Sequence, residues 1–147
     1  MGAIPNYFGI WKQPSGKQGV FFMYIDKRVE TVLKEDGIPV YEISGTIVDK
    51  LGLSGFEGEI TSQNIRFVKQ YKIDVDEGAT DRLIEFKGDL IAGIYRGDYK
   101  ISGESDKGRF TLEKLPHSET LQAIADNLME KVELKKSKLH TEHLSLF

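Results

Sequence analysis

The sequence predicts a mainly β protein, an antiparallel up-and-down β-barrel of about eight strands followed by a C-terminal amphipathic α-helix. Three observations predict it. Short segments rich in branched and aromatic residues recur at regular spacing between residues 7 and 115, separated by turn clusters. No helical segment of crossover length separates any pair, which excludes parallel βαβ units. Gly45, Gly58, Gly88, Gly93 and Gly97 also fall inside strands, where a flat sheet has no use for them and a curved one does. A sandwich satisfies the first two observations as well as a barrel. The third favours closure.

The first strand is read over 7–14 and ends at Pro14-Ser15-Gly16. Its hairpin partner is the aromatic run 20–26. Residues 27–37 fit a helical turn through Val29, Val32 and Leu33, or alternation through Val29, Thr31 and Leu33, and the strand extension is preferred. In 39–49, Tyr41, Ile43, Gly45, Ile47 and Asp49 share one face by the two-residue period. Gly52 to Gly55 is read as a turn before a short strand 56–61. Segment 65–73 gathers Ile65, Phe67, Lys69 and Tyr71, and 82–88 gathers Ile84 and Phe86. Segment 92–102 aligns Gly93, Tyr95, Gly97, Tyr99 and Ile101, and 109–115 supplies Phe110 and Leu112.

After Pro116 the period changes. Ser118 is a good N-cap, and Leu121, Ile124, Ala125, Leu128, Met129 and Val132 recur at three- and four-residue steps. A helix over 118–138 follows. The tail 139–147 ends in Leu144, Leu146 and Phe147, apolar enough to be expected against the barrel or a neighbouring copy. The 147 residues read as a single domain.

Composition removes several function classes. A net charge of −3 carries no Lys/Arg surplus, so nucleic acid is not an expected partner. Lys135, Lys136 and Lys138 sit where cations suit a helix C-terminus. With no cysteine there is neither disulfide nor thiolate chemistry. No stretch approaches the roughly 20 apolar residues of a membrane helix. Residues Met1 to Asn6 lack the features of a signal peptide, so a cytoplasmic location is expected, though a leader removed from a longer precursor would leave the same chain. Of the histidines, His117, His140 and His143, none lies within the predicted barrel. The last two lack the further ligands a zinc site needs, and neither a metal nor a cofactor is expected.

Gly9-Ile10-Trp11 on the first strand forms a G-x-W, followed by seven more strands and a helix. The run continues with Gly45-x-Ile47-x-Asp49, Phe56-x-Gly58-x-Ile60 and Ile65-x-Phe67-x-Lys69-x-Tyr71. Over about residues 7–115 this layout resembles the calycins, the superfamily of lipocalins, fatty-acid-binding proteins and avidin-like barrels, and small bacterial lipocalin-like domains in particular. The chain departs from secreted lipocalins in lacking a T-D-Y motif and cysteines. Lys114 is the nearest stand-in for the arginine that caps their tryptophan, and Arg109 lies at the wrong end of its strand. The resemblance implies a container for one small apolar molecule.

If Trp11 points inward, its companions form an aromatic lining of Phe67, Tyr71, Tyr95, Tyr99 and Phe110, with Phe22 and Tyr24 as further candidates. Glycine alternating with tyrosine over 93–99 would leave room beside each ring, as a pocket needs; the same rings could equally fill a core. Lys69 and Asp49 fall on inward faces, where a charge is costly unless paired with another charge or with a ligand; otherwise Lys69 sits near the strand end with its ammonium reaching water, and Asp49 merely starts a turn. The expectation is therefore non-enzymatic binding of a small hydrophobic or aromatic ligand inside the barrel, an acid if Lys69 anchors it. One alternative is a filled barrel that self-associates through its C-terminal helix. Another is a small barrel enzyme, an isomerase, cyclase or decarboxylase, for which no catalytic base is recognisable.

Overall fold

A computed structural model describes residues 4–32, 37–76, 78–105 and 107–144, the side chains of 32 and 140–144 excepted. Eight antiparallel strands close into a barrel in sequence order: β1 (Tyr7–Lys12), β2 (Gln18–Val32), β3 (Pro39–Asp49), β4 (Gly52–Ile60), β5 (Asn64–Asp74), β6 (Ile84–Ile91), β7 (Ile94–Ile101) and β8 (Lys107–Lys114). β8 pairs back onto β1, setting Trp11 opposite Phe110 and Tyr7 opposite Lys114. One helix follows, α1 (Glu119–Leu144). Closure leaves no sheet edge unpaired.

Several boundaries differ from the sequence reading. β4 starts at Gly52 because the reversal is confined to Lys50 and Leu51, with Asp49 Oδ1 accepting from the N–H groups of Leu51 and Gly52. Ala92 and Gly93 form the β6–β7 turn with φ of 53° and 82°, so Gly93 lies at the turn and not on a strand face. The extension of β2 is real as far as Val32, and the expected strand residues 33–36 lie outside the described residues. β2 and β5 each carry a bulge, beside Asp26 and Lys72. Beyond a bulge the two-residue alternation changes parity.

Trp11, Phe21, Met23, Ile47, Phe56, Phe67, Phe86, Tyr99 and Phe110 fill the barrel axis. Phe67 and Phe86 stack with ring centroids 4.5 Å apart, and Phe110 meets Phe86 edge-on at 5.1 Å. Inward glycines make this filling possible. Phe21 lies over Gly9, Trp11 over Gly19 and Tyr99 over Gly108, so close that an added Cβ would stand 2.1, 2.5 and 2.0 Å from the respective rings. Each of these pairs is directly opposed in register.

A second core lies outside the wall. Phe22, Tyr24, Val48 and Leu53 face outward and are buried by Ala125, Leu128 and Val132 of α1. Ser118 caps the helix as expected, its hydroxyl accepting from Leu121 N–H at 3.2 Å. The contact stripe is Leu121, Ala125, Leu128, Met129 and Val132, whereas Ile124 points off it and is 38% exposed. The helix runs on past 138 to Leu144, carrying with it the first part of the expected tail; residues 145–147 lie outside the described residues.

Because Tyr99 is itself wedged against Phe86 at 5.4 Å, it cannot yield to a new methyl group. Gly108→Ala is therefore expected to cost about 1–3 kcal/mol by overpacking, read from urea unfolding. An unchanged midpoint would show that the interior has slack.

Candidate functional site

Polar chemistry occupies two places in this barrel, one inside it and one at its end. The inner cluster is Asp49, Lys69 and Tyr71. All three face inward: Asp49 opposes Phe21, Lys69 opposes Phe56, and Tyr71 opposes Ser54. Lys69 Nζ donates to Asp49 Oδ2 at 3.1 Å and to Tyr71 Oη at 3.3 Å, and the Tyr71 hydroxyl donates to the same carboxylate oxygen at 2.5 Å. Lys69 is 3% exposed and Asp49 2%. The ammonium also stands over the rings of Tyr71, Phe86 and Phe21, at 4.8, 5.6 and 5.7 Å from their centroids. Burial and then the Asp49 charge push the Tyr71 phenol well above its usual range, so it remains a donor to the carboxylate.

Pairing between Lys69 and Asp49 was one of the outcomes open to them, and Asp49 also starts a turn, as the other reading of it expected. With Asp49 Oδ1 holding the β3–β4 turn and Oδ2 holding Lys69 and Tyr71, the cluster is satisfied from within. Nearby, the buried Ser54 hydroxyl has no hydrogen-bond partner among the described residues.

Of the residues proposed for a pocket, Trp11, Phe67, Lys69, Tyr71, Tyr95, Tyr99 and Phe110 all face the interior. Phe22 and Tyr24 do not. Phe21 and Met23 take the inward positions of β2, so the alternation turns Phe22 and Tyr24 outward beneath α1. The sequence signal was the unbroken apolar run from Val20 to Ile25, which marks a strand buried on both faces. The expected room beside the alternating glycines of 93–99 is absent as well: Gly93 lies in the β6–β7 turn, and at Gly97 the space is taken by the backbone of Lys87 and Gly88.

The second place is the end where β1 begins. There Tyr7, Arg28, Tyr41, Ile60, Leu90 and Tyr95 line a depression of about 580 Å³, together with Glu113 and Lys114. Arg28 faces inward only because of the bulge beside Asp26: after it, Arg28 opposes Ile43 and Glu30 opposes Tyr41. The Arg28 guanidinium lies over the Tyr41 ring, 4.2 Å from its centroid. Neither Arg28 nor Lys114 makes an ion pair among the described residues. Tyr7 and Tyr95 meet edge-on at 6.4 Å, and the Tyr95 hydroxyl donates to Thr61 O at 3.2 Å. Burial raises both phenols, while Arg28 pulls each of them back. The sequence reading missed this rim. Tyr7 could have been found from its shared parity with Trp11; the bulge hid Arg28.

Lys114 opposes Tyr7, four residues along β1 from Trp11, and so does not take the position of a lipocalin's tryptophan-capping arginine. His117 is exposed, and the side chains of His140 and His143 lie outside the described residues. Among the described residues, no three His, Cys, Asp or Glu side chains are grouped to hold a metal ion, and no helix is long and apolar enough to cross a membrane. Compared with protein-family models, curated proteins and solved structures, the chain matches none.

Two predictions follow from the buried polar groups. Lys69→Met leaves a buried carboxylate without its cation, and Asp49→Asn leaves a buried ammonium without its anion; each is expected to cost about 3–5 kcal/mol. The double variant should lose less than the sum of the singles by about 1 kcal/mol or more in urea unfolding. Strict additivity would mean the pair contributes nothing as a pair.

Tyr24 is the second case. Its buried hydroxyl has no partner among the described residues, and burial together with Asp126 pushes its phenol up to about 12. Tyr7, Tyr71, Tyr95 and Tyr99 are raised as well, chiefly by burial. Unfolded phenols ionise from about pH 10 while the folded ones keep their protons, so these groups subtract stability as pH climbs above 10 and add no slope below it. Tyr24→Phe is expected to leave stability at pH 7 level or slightly higher and to make the decline above pH 10 shallower. A steeper decline in the variant's urea midpoints would contradict this.

Proposed function

We propose that this protein is a non-enzymatic binder of a small organic acid with an apolar, aromatic body, and that it takes this ligand at the Tyr7 end of the barrel. The observation that carries the reading is the unpaired Arg28, stacked on Tyr41 at the edge of an aromatic depression. A guanidinium lying on an aromatic face keeps its N–H edge free, and that edge fits a carboxylate with two parallel hydrogen bonds. Ile60, Leu90, Tyr41 and Tyr95 offer the body an apolar bed beside it. Glu30, on the same face as Tyr41, disfavours a second acid on the ligand.

This differs from a ligand held along the axis by Lys69. Lys69 already has a buried partner, and exchanging Asp49 for a ligand carboxylate would strip two hydrogen bonds from Asp49. The resemblance to calycins agrees with a binding role, and the rim reading moves the site from the barrel's middle to its end.

A second reading is self-association through α1, favoured by Leu134 and Leu139, which are 64% and 46% exposed beyond the stripe that meets the barrel. A rim substitution leaves that contact untouched, so it separates the two readings.

Titration calorimetry with 3-phenylpropionate is expected to detect binding, and Arg28→Met to weaken it about 10- to 100-fold, the worth of a charge-assisted pair. Arg28 is exposed, so urea stability should stay within about 0.5 kcal/mol of the parent. Equal affinity in the variant, or no binding by the parent, would sink the rim as a ligand site.

A further inference from the structure

We infer that the ligand bears its carboxylate at a branch point between two apolar arms, as an N-acylated aromatic amino acid does. The inference rests on the rim reading above and extends it to the ligand's chemical class. Its ground is a second depression of about 550 Å³ that shares Tyr7, Arg28 and Lys114 with the first. Its far side is formed by Ile4, Pro5, Ile25, Leu115 and Pro116, beside the first turn of α1.

This groove has fixed walls. Asn6 N–H donates to Met23 O at 2.8 Å, Leu115 N–H donates to Asn6 O at 3.1 Å, and Ile25 N–H donates to Asn6 Oδ1 at 2.6 Å. The segment leading into β1 is thereby tied to β2 on one side and to the β8–α1 connection on the other. Ile4 itself is 75% exposed, which leaves it free to meet a bound molecule.

An anion held between Arg28 and Lys114 therefore has apolar residues in a depression on each side, with Glu113 also lining the first and His117 and Glu119 the second. A simple arylalkanoic acid fills one and leaves the other to water. An aromatic α-amino acid has the right branching, since its carboxylate sits on the carbon that carries both the side chain and the nitrogen. With a free amine it would bring a third cation against Arg28 and Lys114. Acylation removes that charge and supplies the second arm. The aryl group then lies on Tyr41 and Leu90, and the acyl chain lies along Ile4, Pro5 and Pro116.

The test is calorimetry on the full chain with N-octanoyl-phenylalanine, N-acetyl-phenylalanine, free phenylalanine and 3-phenylpropionate. N-octanoyl-phenylalanine is expected to bind about tenfold or more tightly than N-acetyl-phenylalanine, by burial of its methylenes, and free phenylalanine the most weakly. Ile4→Asn with Pro116→Ser should abolish the octanoyl advantage and leave 3-phenylpropionate unchanged. If octanoyl and acetyl forms bind equally while 3-phenylpropionate binding persists, the second arm is wrong and the rim survives. An octanoyl advantage that persists in the double variant also overturns it. Absence of binding by all four compounds removes the rim reading and this inference together.

Discussion

The packing of aromatic rings against inward glycines is the constraint on which the rest of this barrel depends. An eight-stranded barrel encloses only enough space for side chains or one small ligand. Here Phe21, Trp11 and Tyr99 each reach across to a glycine on the paired strand, and Phe67, Phe86 and Phe110 meet in the middle. A ring opposite glycine occupies the volume that two ordinary side chains would share. Other glycines let backbone approach backbone: Gly88 and Gly97 are themselves opposed, and a Cβ on Gly97 would stand 1.8 Å from Lys87 O.

Filling of the axis sorts the charged residues by depth. Inside, a charge survives only with its hydrogen bonds complete, and Asp49 provides this through both oxygens, one for the turn and one for Lys69 and Tyr71. At the Tyr7 end Arg28 is exposed to water and makes no ion pair among the described residues. The buried pair holds β3 to β5 across the interior. Arg28 and Lys114, without an ion pair among the described residues, keep capacity for something else.

Much of the fold was legible in the sequence for physical reasons that can be named. Turn clusters such as Pro14-Ser15-Gly16 and the alternation in β5 report on local backbone and parity, and both held. Ser118 and the stripe through Leu121, Ala125, Leu128 and Val132 located α1. What failed depended on partners distant in sequence. Glycine reads the same whether it makes room for a ligand or for Phe21, and only the pairing of β1 with β2 decides which. Phe22 and Tyr24 are as aromatic as Phe21, and their side was set by a helix a hundred residues away. Lys69 and Asp49 were visible as inward charges able to pair with each other, and they do; that the Tyr71 hydroxyl joins the pair was not visible.

The bulge beside Asp26 shows how little sequence the rim's chemistry depends on. Up to Ile25 the inward positions of β2 are Phe21, Met23 and Ile25, all apolar and all within the packed core. An uninterrupted strand would next present Lys27 and Val29 inward and turn Arg28 to the outer wall. One extra residue reverses this, so that Val29 lies outside, 40% exposed, and Arg28 reaches Tyr41. No change of composition is involved, only of parity, and it occurs at the point where the filled axis gives way to the end of the barrel. The same strand thus closes the core with its first half and equips the rim with its second.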